Sequence, residues 1–125
     1  MKKKLFAAIA AGAMLCGMLT APVSAAETYQ KGDVNMDGIV DVADAQLALL
    51  EYTFAIVGVD YGLNSEQLEL ASITGSMTKI FNSEQVIPIG VSDVNVIFMY
   101  YVHKQVVDSS AVDIVSYYNK IYQTK

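Results

Sequence analysis

Between residues 43 and 57 almost every position is apolar, with Asp44, Gln46, Glu51 and Thr53 as the polar interruptions. The run is too long for one strand and shows no two-residue alternation, so it predicts a helix over Ala43 to Val57. Gly58 to Gly62 breaks it. Asn64 followed three residues on by Gln67 is a capping box, opening a short helix that reaches about Ala71. Ser72 to Pro88 mixes Gly, Ser, Thr, Asn and Pro and reads as irregular chain. A second long apolar stretch predicts a helix over Val91 to Val107. Val112, Val115, Tyr118 and Tyr122 fall near helical spacing and predict a short C-terminal helix over residues 111–123. The fold class expected is therefore mostly α.

Both long helices are apolar nearly all round. The first carries Leu47, Ala48, Leu49 and Leu50 in succession; the other carries Val94 and then Val96 to Val102. Such a helix is either buried or meets a partner. A domain of this size cannot bury every side of two helices. An exposed face bearing Phe, Tyr and Met has the composition of a protein interface. The alternative is that the segment around residues 78–88 and the C-terminal helix cover these faces.

Ahead of the first helix the chemistry changes. Asp33 to Asp44 is a twelve-residue run with acidic or amide side chains at positions 1, 3, 5, 9 and 12. Calcium is a hard cation that takes about six to eight oxygens, and a loop of this kind supplies them from positions 1, 3, 5, 7, 9 and 12. The candidate ligands are Asp33, Asn35, Asp37, the Ile39 carbonyl, Asp41 (directly or through water) and Asp44. Gly38 stands at position 6, where the loop turns sharply, and apolar Val40 at position 8 can face a core. An acidic surface turn would leave four aspartates repelling one another with nothing to offset them.

The first 26 residues have the layout of an export signal. Lys2, Lys3 and Lys4 form a basic start, Leu5 to Leu19 an apolar segment, and Val23-Ser24-Ala25 a small-residue cleavage site. The apolar segment is short for a membrane span. Cys16, the one cysteine of the chain, falls inside it. The remainder, 27–125, is expected to be one small extracellular domain without disulfides, in which a metal site can act as the staple. Losing those three lysines takes the net charge from −5 to −8, and there is no arginine. Nucleic acid and anionic membranes are excluded as electrostatic partners.

A weak repeat runs through the chain. Val40 to Tyr52 aligns without gaps on Ile89 to Tyr101, matching Asp44 to Asp93 and Tyr52 to Tyr101. Repeat one covers 32–57 and repeat two 72–107, with residues 64–71 linking them. In repeat two Ser72, Thr74 and Ser76 stand where carboxylates are needed, Met77 replaces the turn glycine, and an insertion near 78–88 follows. Neutral hydroxyls lack the charge that captures calcium, so only one site is expected. Counting back from Asp93 puts Asn82 and Glu84 at positions 1 and 3, but Val86 and Ile87 then spoil positions 5 and 6.

A calcium loop followed by a single helix, present twice in an exported acidic chain, resembles a dockerin. The motifs that carry the likeness are Gly32 to Gly38, Asp41 to Tyr52, and Leu63 to Ala71 leading into the second copy. Dockerins are the modules that plug cellulosomal proteins into cohesins. The resemblance implies a pair of calcium loop-helix (F-hand) motifs with a connecting helix, here with an extra C-terminal helix. It also implies calcium-dependent binding to a cohesin-bearing scaffold or cell-surface protein. Partner contacts carried over from the family fall on Val42, Ala43, Leu49 and Leu50 in repeat one, and on Val91, Ser92, Phe98 and Met99 in repeat two. The decayed loop, the insertion and the tail depart from the family pattern, and the unlike repeats favour one binding orientation over two.

Two other classes remain for comparison. One is a surface or matrix protein whose calcium loop is purely structural, with the insertion or the Tyr117, Tyr118 and Tyr122 tail serving a different partner. The other is an enzyme. His103 is the only histidine, sits near a helix end and has no cysteine or second histidine to work with. No catalytic residues are expected.

Overall fold

The computed structural model describes residues 28–110 and 112–123. The expected export signal lies outside the described residues. Among the described residues there are four α-helices, one small two-stranded sheet and a π-helical turn, and the fold is mostly helical as the apolar pattern predicts. Among the described residues no helix is long and apolar enough to cross a membrane.

Helix α1 runs Val42–Val57 and starts one residue earlier than expected, because Asp41 caps it. The Asp41 carboxylate accepts from the Ala43 N–H at 2.7 Å, satisfying one of the free amides of the first turn. Gly58 ends α1 in the left-handed region at φ 83°. A Cβ there would lie 2.9 Å from the Phe81 carbonyl oxygen, so glycine is needed for space as well as for conformation. Helix α2 runs Ser65–Ala71 and carries the expected capping box: Asn64 accepts from the Gln67 N–H, and Gln67 accepts from the Asn64 N–H. The Gln67 side-chain amide also donates to the Val34 carbonyl at 3.0 Å, and the Gly32 N–H donates to the Leu70 carbonyl at 2.8 Å. These bonds tie α2 to the acidic loop.

The stretch Ser72 to Pro88, expected to be irregular, contains a hairpin. Strands β1 (Thr78–Lys79) and β2 (Val86–Ile87) pair antiparallel, Thr78 opposite Ile87 and Lys79 opposite Val86. Asn82 turns it at φ 56°, a conformation Asn tolerates better than most residues. Strands of two residues are too short to leave an alternating pattern. The hairpin is anchored to the end of α1 by the Phe81 N–H donating to the Ala55 carbonyl at 3.0 Å.

Helix α3, Val91–Val106, stops one residue before the expected Val107, which serves as its C-cap. The C-terminal segment differs more. Helix α4 is only Ile114–Tyr118, followed by a π-helical turn over Asn119–Gln123. Asp113 sets the start of α4 by accepting from the N–H groups of Val115 and Ser116.

Helix α1 packs chiefly on α3. The contact face of α1 is small, with Ala45, Ala48 and Ala55 buried, and faces Val94, Val96, Ile97 and Tyr100. Val34, Val40, Ile87 and Ile89 extend this core beneath the two loops, and Ile114 and Tyr117 of α4 close it over α3. Tyr117 meets Tyr100 edge-on at 5.6 Å between ring centroids. The hairpin and α4 therefore cover only part of each long helix. Leu49, Leu50, Phe98 and Met99 remain exposed.

Candidate metal centre and the adjoining apolar face

The acidic loop is organised by its own amides. Asp33 accepts from the N–H groups of Asp37 at 3.1 Å and Gly38 at 2.9 Å. Asn35 accepts from Asp37 at 3.0 Å, and Asp37 from Ile39 at 2.9 Å. At the far end, one oxygen of Asp44 accepts from the Asn35 N–H at 3.0 Å and the other from the Asp41 N–H at 2.7 Å. Asp44 thus closes the loop back on its third residue. The turn that permits this uses positive φ at Met36 (62°) and Gly38 (92°). A Cβ at Gly38 would meet nothing within 4 Å, so glycine is required there by conformation alone. Val34 and Val40 point inward and are buried, while the Ile39 side chain is exposed, as suits a position that offers only its carbonyl.

Asp33 and Asp44 are both 0% exposed. Burial pushes the Asp44 carboxyl above the usual carboxylate range, and the Asp33 charge adds to the effect. The N–H groups of Asn35, Asp41 and Val34 act against it. Their hydrogen-bond partners are backbone amides rather than basic side chains. Two buried carboxylates without a cationic partner are a costly arrangement, and a bound cation is the ordinary remedy. The candidate donors, Asp33, Asn35, Asp37, the Ile39 carbonyl, Asp41 and Asp44, are all oxygens, which suits calcium rather than a thiophilic or imidazole-seeking metal. Among the described residues no three His, Cys, Asp or Glu side chains already stand as a metal cluster. Two of the six candidate donors are an amide and a backbone carbonyl, and the carboxylates are turned toward amides.

Repeat two reproduces the closing device without a second buried carboxylate, Ser72 standing at the position of Asp33. Asp93, also 0% exposed, accepts through one oxygen from the Ile73 N–H at 2.7 Å, the Thr74 N–H at 2.8 Å and the Thr74 hydroxyl at 3.1 Å. Its other oxygen accepts from the Gly90 N–H at 2.8 Å. Thr74 therefore stands where Asn35 stands, and Gly90 where Asp41 stands. This is the register that puts Ser72, Thr74 and Ser76 in the ligand positions. Asn82 and Glu84 of the other register are in the hairpin turn, and Glu84 pairs with Lys79 at 3.3 Å. A Cβ at Gly90 would sit 2.7 Å from the Ser76 Cβ, so the loop has closed down over the position that holds a carboxylate in repeat one.

The residues expected to meet a partner lie at the surface. Val42, Leu49, Leu50, Val91, Ser92, Phe98 and Met99 are exposed and Ala43 is half-buried. Sequence reasoning missed the groove that joins the two helices. A cavity of about 230 Å³ is lined by Val42, Ala45, Gln46 and Leu49 of α1 and by Val94, Asn95 and Phe98 of α3. Three of these pairs, Ala45 with Val94, Gln46 with Asn95 and Leu49 with Phe98, are equivalent positions of the repeat. The ungapped alignment was the signal that could have found them.

His103 lies in the last turn of α3, 5.2 Å from the Tyr117 ring. Glu51 is a third buried carboxylate, on α1. Burial raises its pKa, opposed by the Leu63 N–H that it accepts at 3.3 Å and aided by the charge of Asp60. No family model matches the chain, and neither a curated protein nor a solved structure matches it.

Proposed function

We propose that this chain is an extracellular, calcium-dependent protein-docking module of dockerin-like design, with one calcium site. The observation that carries the reading is the pair of fully buried carboxylates, Asp33 and Asp44, held by backbone amides on a loop turned by Gly38. In this reading calcium is a folding cofactor. Asp33, Asn35, Asp37, the Ile39 carbonyl, Asp41 and Asp44 would hold it, and its binding free energy would fix α1 against α3. Docking would use the exposed apolar residues of both helices, Leu49, Leu50, Phe98 and Met99, around their shared groove. The partner class is a cohesin-bearing scaffold or cell-surface protein, and the module brings no catalytic group of its own.

The test is capture from the secreted and surface proteins of the source organism, in calcium and in EDTA. The proposal expects a cohesin-bearing protein captured in calcium and lost in EDTA. A protein that stays folded and binds the same partner in EDTA would overturn it.

A second reading has one observation in its favour. Tyr118 and Tyr122 stack at 5.4 Å and 28° beside a polar cavity distant in sequence from the acidic loop. A surface protein with a purely structural calcium loop and a different partner would account for them, and capture that is unaffected by EDTA would favour it.

A further inference from the structure

A cavity of about 360 Å³ lies between the decayed loop, α3 and the C-terminal turn. Its size is within the range of small-ligand sites, about 300–1,000 Å³. Its lining is neutral: hydroxyls, one amide and two phenols, over an apolar floor formed by buried Val96.

The hydroxyls are oriented. The Thr74 hydroxyl donates to Asp93, which as a carboxylate can only accept. In the 2.7 Å contact between Thr74 and Ser76, Ser76 is therefore the donor. The chain from Ser76 through Thr74 to Asp93 leaves the oxygen of Ser76, a lining residue, able to accept, strengthened by the bonds behind it. The exposed side chains of Ser92 and Asn95, also in the lining, bond to no other described residue and can both donate and accept. Tyr118 and Tyr122, whose rings stack at 5.4 Å, complete the lining.

We propose that this cavity binds a neutral pyranose sugar. Such a ring has hydroxyls on its edge for Ser76, Ser92 and Asn95, and a C–H face that can rest on tyrosine through weak contacts. A charged ligand would find no counter-charge in the lining. The site draws on none of the calcium-loop residues, but it shares Ser92 with the expected partner contacts and Asn95 with the groove between α1 and α3. Two sources supply this chemistry, a polysaccharide and a glycan carried by a protein.

The test uses the intact protein in saturating calcium. Saturation-transfer NMR with glucose, galactose, mannose and N-acetylglucosamine comes first, followed by an array of polysaccharide fragments and protein-linked glycans to separate the two sources. The expected result is transfer to at least one of the sugars, with shifts at Asn95, Tyr118 and Tyr122. Asn95→Ala and Tyr122→Ala should each weaken binding by about tenfold. If Tyr122→Ala disturbs the fold by circular dichroism, Asn95→Ala decides. Lack of response to every sugar, or equal binding by the variants, would overturn the proposal.

Discussion

The two loops solve one structural problem in different ways. Each ends in a buried aspartate that closes the loop onto the amide of its third position: Asp44 on Asn35, and Asp93 on Thr74. In repeat two Asp93 collects four donors, including a hydroxyl. In repeat one Asp44 has fewer donors and shares the loop with the buried charge of Asp33. Hydrogen bonds alone satisfy the lone carboxylate, whereas the paired carboxylates call for a cation. Repeat two is thus closed by a self-contained staple of hydrogen bonds, with a hairpin in the inserted segment.

Removing calcium should sharpen this contrast most. At calcium about a thousandfold above Kd, bound metal adds about 4 kcal/mol of stability. EDTA, or Asp44→Ala in saturating calcium, should forfeit that amount, read as a fall in thermal midpoint. Next, Asp93→Ala strands three N–H groups and a hydroxyl, and should destabilise by about 3 kcal/mol in a way that added calcium does not recover. Denaturant titration at two calcium concentrations checks it; recovery by calcium would break the comparison. Phe98→Ala should weaken partner binding by about 2 kcal/mol in titration calorimetry with little change in thermal midpoint. Unchanged affinity would move the interface elsewhere.

The smallest effect concerns Glu51. Its folded pKa is raised by burial, so its contribution to stability is full below the ordinary glutamate pKa, about 4.3, and is lost as pH rises through the raised value. Glu51→Gln keeps an acceptor for Leu63. It should melt higher than the parent at pH 7 and converge with it in acid. Equal melting at both pH values would remove Glu51 from the account.

Local chemistry made much of this legible in the sequence. The Asn64–Gln67 box needs only two side chains at a fixed spacing, and it forms as read. The excess of apolar residues on α1 and α3 announced faces that the domain does not bury, now seen at Leu49 and Phe98. Elements that depend on distant chain were harder to see. The hairpin has strands too short for a periodic signal, and its place is set by the Phe81–Ala55 bond to α1. The C-terminal helix is shorter than its spacing implied, because Asp113 caps it late and the chain then widens into a π turn. Of the groove, the exposed rim residues were visible in the sequence, but Ala45, Gln46, Val94 and Asn95 become neighbours only once α1 and α3 pack.

The most direct measurement is amide hydrogen exchange, residue by residue, with calcium and with EDTA. The account predicts that EDTA strips protection from residues 33–44 and from α1, while Thr74, Gly90 and the first turn of α3 keep a measurable share of theirs. Equal loss across both repeats, or no loss in either, would contradict it.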